Sequence, residues 1–366
     1  MALKAGIVGL PNVGKSTLFN AITKSNALAA NYPFATIEPN VGMVEVPDDR
    51  LDVLVNMYNP KRRVPALCEF TDIAGLVKGA SKGEGLGNQF LGNIRNCNAI
   101  IEVVRCFDSS NIVHVEGSVD PIRDIETIEL ELSLSDLDVI EKRMVKIEKK
   151  AQSKVDDAEF EFKLLKKIKN ALLNGTSIRN VEFSEEEEKY VNEYALLTDK
   201  PLMYVCNIKE DDISNLDNAK YYQQVLEYAK KNNVLCIPIS AQIEAELSEL
   251  DDEEKQMFLE EYGLKEAGLN LLIRSTYHLL GYKTFFTVGP DECRAWTYKD
   301  GMLAPQCAGI IHSDFERGFI RAETTAYDDL INSGSMLKAR EKGLVRQEGK
   351  EYKVKDGDIL LFKFNV

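Results

Sequence analysis

The fold is decided by eight residues near the N-terminus, Gly9-Leu10-Pro11-Asn12-Val13-Gly14-Lys15-Ser16. They match the pattern G-x-x-x-x-G-K-[ST] and stand between an apolar stretch, residues 5–9, and a stretch of helical character, residues 16–23. A strand, a glycine-rich turn and a helix in this order form a phosphate-binding loop, in which backbone N–H groups and the helix N-terminus surround phosphate oxygens. An accidental glycine-rich turn would not explain all three parts together.

The motif also assigns tasks to side chains. Lys15 is expected to reach the β- and γ-phosphates of a bound nucleotide and to support catalysis, and the Ser16 hydroxyl is expected to bind Mg²⁺. The nucleotide contacts predicted from this segment are Asn12, Val13, Gly14, Lys15, Ser16 and Thr17.

A second phosphate-side element is Asp72-Ile73-Ala74-Gly75, at the end of the apolar stretch 66–71. A carboxylate at Asp72 can hold Mg²⁺ through water, and the N–H group of Gly75 can contact the γ-phosphate. The D-x-x-G pattern is weak alone but strong as the partner of a phosphate-binding loop. Between the two elements, Thr36 lies in a segment expected to close over the metal when a γ-phosphate is present.

Composition bounds the class of protein. The chain has 366 residues with 59 acidic and 45 basic side chains, a net charge of −14, which argues against a protein that coats nucleic acid over its whole surface. No apolar run approaches the roughly 20 residues of a membrane helix, and no signal peptide is evident. The seven cysteines contain no C-x-x-C pair. We therefore expect reduced thiols, a cytoplasmic location and no membrane contact.

Alternation of strand-like and helix-like stretches predicts an α/β fold with a mainly parallel sheet. Its strands are predicted at residues 3–8, 41–46, 66–71, 99–105, 202–206 and 234–239. These stretches define a nucleotide-binding domain made of residues 1–133 and 199–282.

Residues 134–198 have a different character and are predicted to be a helical insertion. Apolar residues spaced by sevens from Leu137 to Leu172 predict a coiled coil. The charged Lys154 and Glu161 occupy its companion positions, which a turn at residues 150–157 would explain, so we expect an antiparallel hairpin. Ser184, followed three residues later by Glu187, predicts a capping box that starts another helix.

The insertion is also locally basic. Residues 141–179 contain 11 Lys or Arg and 6 Asp or Glu, so the net charge is 11 − 6 = +5. The residues alone leave open a solvated helix face or a contact with an acidic partner such as RNA.

The remaining residues, 283–366, predict a small mixed-β domain, because short β-rich runs alternate with turn signals. Its strands are expected at residues 284–288, 294–298, 319–323, 351–354 and 359–364.

Four stretches carry a resemblance to a known family: residues 32–42 (YPFATIEPNVG), 72–87 (DIAGLVKGASKGEGLG), 314–323 (DFERGFIRAE) and 356–358 (DGD). They resemble the switch regions and the C-terminal TGS domain of the YchF subfamily of Obg-type P-loop NTPases, the Obg-like ATPases. The resemblance covers essentially the whole chain. It implies a P-loop domain, the helical insertion and a TGS domain, in a monomeric Mg²⁺-dependent enzyme that hydrolyses ATP to ADP. It also implies a nucleotide-dependent switch that binds the ribosome or RNA through a groove formed by the hairpin and the TGS domain.

Base recognition departs from the usual GTPase motif N-K-x-D, because the corresponding residues are Asn207-Ile208-Lys209-Glu210. Without the aspartate that pairs with the N1–H and 2-amino groups of guanine, the preference for guanine is lost. The family's N-x-x-E pattern goes with ATP. Asn207 and Ile208 are therefore the candidates for adenine contacts, together with Glu210. Ser240 and Ala241 are expected in the last base-side loop.

The residue after the D-x-x-G motif is Leu76, which cannot orient water as the glutamine of many GTPases does. The resemblance assigns the orientation of the attacking water to a histidine, and His114 matches that position. The residues alone leave open a purely structural histidine. Without a partner, turnover is expected to be slow.

Asn12 allows a further interpretation. In potassium-stimulated relatives an asparagine here coordinates K⁺, which could offset phosphate charge in place of an arginine finger. A turn-forming asparagine is the alternative.

Two other functions stay open at this stage. One is a nucleotide-sensing interaction module whose hydrolysis is incidental, and the other is a GTP-specific switch.

Overall fold

The computed structural model describes residues 4–25, 41–73, 86–109, 111–153 and 156–365. Its strands are β1 (Lys4–Val8), β2 (Val41–Glu45), β3 (Arg62–Val64), β4 (Leu67–Asp72), β5 (Ala99–Arg105), β6 (Leu202–Asn207), β7 (Leu235–Ile239), β8 (Tyr282–Val288), β9 (Glu292–Lys299), β10 (Phe319–Thr325), β11 (Arg346–Glu348) and β12 (Ile359–Phe364).

The first nine helices are α1 (Lys15–Ser25), α2 (Asp49–Tyr58), α3 (Leu86–Arg95), α4 (Pro121–Gln152), α5 (Asp156–Leu173), α6 (Glu185–Tyr194), α7 (Glu210–Ile213), α8 (Lys220–Lys231) and α9 (Ala241–Leu247). They are followed by α10 (Asp252–Glu261), α11 (Gly268–Leu279), α12 (Ala304–Ile311), α13 (Ser313–Arg317), α14 (Tyr327–Ser333) and α15 (Met336–Glu341). None of the helices in the described ranges is long and apolar enough to cross a bilayer.

The first compact unit contains residues 3–43 and 69–269. Its sheet has the order β2-β4-β1-β5-β6-β7, and the five strands from β4 to β7 pair in parallel. β5 and β6 are buried along their whole length, as expected for central strands covered on both faces. The predicted parallel sheet is confirmed, and each of its predicted strands is found within about two residues.

The helical hairpin consists of α4 and α5, joined between Gln152 and Asp156, where the turn was predicted. Its apolar core includes Ile140, Ile147, Leu165 and Ile168. α6 begins with the predicted capping box at Ser184.

Two details of the hairpin differ from the sequence interpretation. α4 starts at Pro121, capped by Asp120, so the expected boundary at residue 134 falls inside one continuous helix. The prediction explained the charge of Glu161 by the turn, but Glu161 lies within α5 and is buried. Arg143 compensates it through Nε–Oε1 and Nη2–Oε2 contacts of 2.6 and 3.0 Å, and the Tyr194 hydroxyl donates to it.

The second compact unit contains residues 44–68 and 270–366. Its sheet has the order β11-β10-β12-β8-β9-β3 and is mixed, with antiparallel β8–β9 and β10–β12 pairs and parallel β12–β8 and β3–β9 pairs. The sequence analysis placed residues 44–68 with the nucleotide-binding domain. They cluster here because β3 extends this sheet along β9.

The strand predicted at residues 351–354 is wrong. The backbone of this segment pairs with the start of α12 instead: Ala304 N–H donates to Tyr352 C=O and Val354 N–H donates to Met302 C=O. The sheet edge is formed by the preceding strand β11, which the sequence analysis missed.

Candidate nucleotide-binding site

The loop between β1 and α1 needs its two motif glycines for space and for conformation. Gly9 and Gly14 have φ of 154° and 98°, values that side-chain-bearing residues rarely adopt. A Cβ on Gly9 would lie 2.6 Å from the carbonyl oxygen of Val103, and one on Gly14 would lie 2.3 Å from Nδ2 of Asn207. Asn12 has φ of 62°, a left-handed conformation that asparagine tolerates. The backbone therefore has the geometry that the motif predicted.

Lys15 lies at the start of α1 and is buried. Its Nζ donates to the carbonyl oxygen of Leu10, 2.8 Å away, within the same loop. Burial lowers its pKa, and the charge of Asp72 partly offsets that effect. A partly desolvated ammonium group at the start of a helix is well placed to interact with an anion.

Ser16 and Asp72 face each other, with Ser16 Oγ 3.4 Å from Asp72 Oδ2. Oδ1 of Asp72 is buried and has no hydrogen-bond partner among the described atoms. Burial raises the pKa of Asp72, while Lys15 and the Ser16 hydroxyl act in the opposite direction. A hydroxyl and a carboxylate with an unpaired oxygen are the hard ligands that Mg²⁺ prefers, so these residues fit that metal. The other predicted phosphate-side residues, Thr36 and Gly75, and also Leu76, lie outside the described residues.

A cavity of about 620 Å³ adjoins the loop at the carboxyl edge of the sheet. It is lined by eight predicted residues: Asn12, Gly14, Thr17, Asn207, Ile208, Glu210, Ser240 and Ala241. The sequence analysis missed the other nine lining residues: Phe107, Asp108, Ser109, Ile112, Lys209, Gln242, Ala245, Glu246 and Glu249. Phe107, Asp108 and Ser109 follow β5 in the sequence. Ligands bind at the carboxyl ends of parallel strands, so the predicted end of β5 could have indicated these three residues.

Asn207 holds the site together. Its Nδ2 donates to the carbonyl oxygen of Val13 (2.9 Å), and its Oδ1 accepts the N–H of Ala241 (3.0 Å). The side chain is buried and joins the phosphate loop to the start of α9. Asn207 thus has a structural task that its predicted role in adenine contact did not include.

The neighbouring base-side residues are also fixed. The N–H of Ile208 donates to the carbonyl oxygen of Ile239 (2.9 Å), and the Ile208 side chain is buried. Ser240 caps α9 by accepting the N–H of Ile243 (3.4 Å). Two adjacent strand ends and a helix start therefore form one wall of the cavity.

His114 is buried and does not belong to the described residues that line this cavity. Its Nε2 lies 2.8 Å from Oδ2 of Asp124, and its Nδ1 accepts the N–H of Glu116 (3.1 Å). It lines an adjacent cavity of about 480 Å³, which shares Asp108, Ser109 and Ile112 with the first. The structure thus places His114 beside the predicted site, with both ring nitrogens engaged.

Comparisons with known proteins agree with this architecture. A family model described as "50S ribosome-binding GTPase" matches residues 4–150, and the YchF-GTPase_C model, described as "Protein of unknown function (DUF933)", matches residues 282–365. Curated relatives from Bacillus subtilis and Escherichia coli O157:H7, each named "Ribosome-binding ATPase YchF", are 59% and 52% identical over all 366 residues, with both chains fully covered. The chain belongs to the YchF family.

A solved structure of the YchF family supports the assignment. The structure titled as the Schizosaccharomyces pombe YchF GTPase superposes with a TM-score of 0.89 at 39% identity, covering 99% of this chain and 97% of that one. The predicted family and fold class are confirmed: a mixed α/β P-loop domain with a parallel sheet, followed by a YchF-type C-terminal domain. Membership of the YchF family makes the chain a nucleoside-triphosphate hydrolase.

The names of these YchF proteins refer to different nucleotides. The bacterial relatives are called ATPases, and the yeast structure is titled a GTPase. The choice between ATP and GTP therefore has to be argued from the residues of the site.

Proposed function

We propose that the chain hydrolyses ATP, in preference to GTP, to ADP and phosphate, and that it acts as a nucleotide-dependent switch on the ribosome. One observation carries the hydrolytic part. The buried ammonium group of Lys15 and the hydroxyl of Ser16 lie beside Asp72, at the end of β4, and the loop that precedes them lines a cavity large enough for a nucleotide through Asn12 and Gly14.

Mg²⁺ is the proposed metal. Ser16 and Asp72 would hold it, with Thr36 as a third ligand, and the unpaired buried oxygen of Asp72 supports the assignment. When bound, the ion supplies positive charge to the β- and γ-phosphates. Lys15 would exchange its contact with Leu10 for a phosphate oxygen, and the backbone N–H groups of the loop and of Gly75 would bind the others. His114 is the proposed residue that orients the attacking water.

The preference for adenine rests on what the base wall offers. The position that pairs with guanine in ordinary GTPases carries Glu210, and Ile208 gives the wall an apolar side chain. The Oδ1 atom of Asn207 already accepts the N–H of Ala241, and one of its amide hydrogens is donated to Val13, so neither is free for a base. A wall without a fixed acceptor for two guanine donors gives guanine no advantage. The name of the bacterial relatives, ribosome-binding ATPase, agrees with a preference for ATP.

K⁺ is the proposed second cation, at Asn12. The side-chain nitrogen of Asn12 donates to the carbonyl oxygen of Val113 (3.2 Å), so its oxygen can face the phosphate side. Hydrolysis that is several-fold faster in K⁺ than in Na⁺ would support this role, and equal rates in both salts would contradict it.

The proposed contact with the ribosome uses the free end of the hairpin. Six of the 11 basic side chains counted in the sequence form ion pairs: Lys142–Asp138, Arg143–Glu161, Lys163–Glu159, Lys167–Glu187, Lys169–Glu141 and Arg179–Glu129. Among the described residues of α4, Lys146, Lys149 and Lys150 are exposed and make no ion pair. This cluster of three lysines at the end of α4 is the surface best suited to ribosomal RNA phosphates.

Hydrolysis is tested with Lys15→Ala. We expect the variant to lose ATP hydrolysis in Mg²⁺ by about 100-fold or more, because a charge that stabilises the transition state is removed. Lys61→Ala, which removes an exposed lysine paired with Asp291 in the second unit, is the matched control and should keep the parent's rate. Equal rates for Lys15→Ala and the parent would contradict the proposed site.

Ribosome binding is tested by charge reversal of the lysine cluster. The triple variant Lys146→Glu, Lys149→Glu, Lys150→Glu should cosediment with ribosomes at least about tenfold more weakly, with a smaller dependence on salt. Reversal of Lys220, Lys230 and Lys231, three exposed lysines of α8, is the control. Unchanged sedimentation of the hairpin variant would place the contact elsewhere.

The switch is tested by comparing ribosome binding in ATP and in ADP. If the parent and the Lys15→Ala protein both bind ribosomes equally in the two nucleotides, the proposed nucleotide-dependent switch is wrong and hydrolysis is incidental.

A further inference from the structure

The loop around His114 has an inverted polarity. Its apolar side chains point to solvent, with Val113 76% and Val115 50% exposed, whereas His114 between them is 8% exposed. Burial normally favours the opposite arrangement, since valine gains from leaving water and imidazole does not. Specific contacts must therefore hold the histidine inside.

Those contacts occupy both nitrogens of the imidazole. Nδ1 accepts the N–H of Glu116, so the ring proton lies on Nε2 and is donated to the Asp124 carboxylate, 2.8 Å away. In this position His114 has no free nitrogen with which to bind water or phosphate.

Asp124 is itself fixed. It lies near the start of α4 and is buried, and its other oxygen, Oδ1, accepts from Nε and Nη2 of Arg123 at 3.2 and 2.9 Å. The carboxylate would keep this charged partner if His114 left. The His114–Asp124 bond can therefore open without isolating a buried charge.

The same loop adjoins the phosphate loop. The side chain of Asn12 donates to the carbonyl oxygen of Val113, the residue next to His114, and Arg105 Nη1 donates to that of Ile112 (3.1 Å). Ile112 also lines the nucleotide cavity. A change in the phosphate loop on nucleotide binding thus acts directly on the residues that precede the histidine.

We propose that Asp124 is a positioning residue that holds His114 out of the nucleotide cavity, and that hydrolysis requires this hydrogen bond to open. The inference rests on the proposed role of His114 in orienting water. It gives a physical reason for the slow turnover that the sequence predicts for the isolated chain, because the resting contact competes with the catalytic position.

The test is Asp124→Asn, which keeps the size of the side chain and one acceptor oxygen for Arg123 but places an NH2 donor opposite the N–H of His114 Nε2, so the charge-assisted bond to His114 is lost. The value of kcat for ATP should rise about threefold or more, with KM unchanged, because the charge-assisted bond that competes with the catalytic position of His114 is removed. Arg123→Gln, a change at a partly exposed side chain, should lower kcat, because opening of the His114 bond would then leave the buried Asp124 carboxylate without a charged partner. This variant serves if Asp124→Asn is unstable. Asp314→Asn, in the exposed His312–Asp314 pair of the second unit, is the matched control and should leave kcat unchanged.

A spectroscopic measurement follows the bond itself. The chain has three histidines, so the ¹⁵N and ¹H signals of the His114 side chain can be assigned by comparison with His114→Ala. The parent should show a slowly exchanging proton on Nε2, and in Asp124→Asn that proton should exchange faster.

The outcomes separate this inference from the proposed function. If His114→Ala hydrolyses ATP at the parent's rate, His114 has no catalytic role and the proposed function fails at that point. If His114→Ala is inactive while folded Asp124→Asn keeps or lowers the parent's kcat, or folded Arg123→Gln keeps or raises it, the positioning role of Asp124 is wrong. Both proposals hold if Asp124→Asn hydrolyses ATP faster than the parent and the double variant, Asp124→Asn with His114→Ala, hydrolyses it as slowly as His114→Ala alone.

Discussion

At the scale of single residues, Asn207 shows how one buried amide sets the shape of a site. It bonds the carbonyl of Val13 on the phosphate loop and the N–H of Ala241 on α9, and its Nδ2 occupies the space that a side chain at Gly14 would need. Glycine at residue 14 and asparagine at residue 207 are therefore one packed unit. The phosphate-loop motif predicted Gly14 and the N-x-x-E motif predicted Asn207. Neither motif shows that the two residues depend on each other, because their contact joins positions 193 residues apart.

We predict that Asn207→Ala weakens ATP and GTP binding by similar factors and lowers the free energy of unfolding by about 2 kcal/mol, since two buried hydrogen bonds are lost. Calorimetric titration of both nucleotides and urea unfolding measure these effects. Asn98→Ala is the control, because Asn98 accepts the N–H of Lys4 at the start of β1. A selective loss of ATP affinity would mean that Asn207 reads the base, as the sequence interpretation held.

At the scale of elements, Glu244 joins α9 to α11. This buried carboxylate accepts the N–H groups of Gly268 and Leu269 at 2.8 and 3.3 Å, at the start of α11. Burial raises its pKa from 4.5 to about 7, although the two backbone bonds act in the opposite direction. Between these values the folded chain holds a proton that the unfolded chain releases, so this group destabilises the fold as pH rises from 4.5 to 7.

We predict that Glu244→Gln, which cannot ionise, gains stability relative to the parent as pH rises from 5 to 8, by up to about 3 kcal/mol. Urea midpoints of the two proteins at several pH values measure the difference. Glu227→Gln, at an exposed position of α8, is the control for loss of a negative charge. A difference that stays constant with pH would show that the Glu244 pKa is not raised.

α4 connects two of the proposed functional features. Asp124 lies near its first turn and the lysine cluster near its last, and 32 residues of helix span about 48 Å. A single continuous helix therefore runs from the residue that holds His114 to the surface proposed for the ribosome.

At the scale of the whole molecule, the parts that the sequence could predict are those with local signals. The buried strands are apolar runs, the phosphate loop is a contiguous motif, and the hairpin has a seven-residue period. The parts that failed depend on distant partners. Residues 351–354 have the composition of a strand, but their backbone bonds go to the start of α12. Residues 44–68 join the second unit through pairing of β3 with β9, which no local pattern shows.

The site follows the same division. Lys15, Ser16 and Asp72 were predicted from motifs and lie together in the structure. The resting position of His114 could not be predicted, because it depends on a bond to Asp124 and on an inverted loop whose valines remain exposed. Charge behaves similarly: the count of +5 in residues 141–179 did not show that ion pairs engage six of the basic side chains, nor that three exposed lysines gather at the end of α4.

The central claim is an ATP-preferring hydrolase, and competition between the two bases tests it most directly. The purified chain is titrated calorimetrically with ATP and with GTP in Mg²⁺, and kcat/KM is measured for each. The account predicts that ATP binds at least about tenfold more tightly and has the higher kcat/KM, because the base wall lacks the aspartate that guanine requires. Tighter binding and faster hydrolysis of GTP would contradict it.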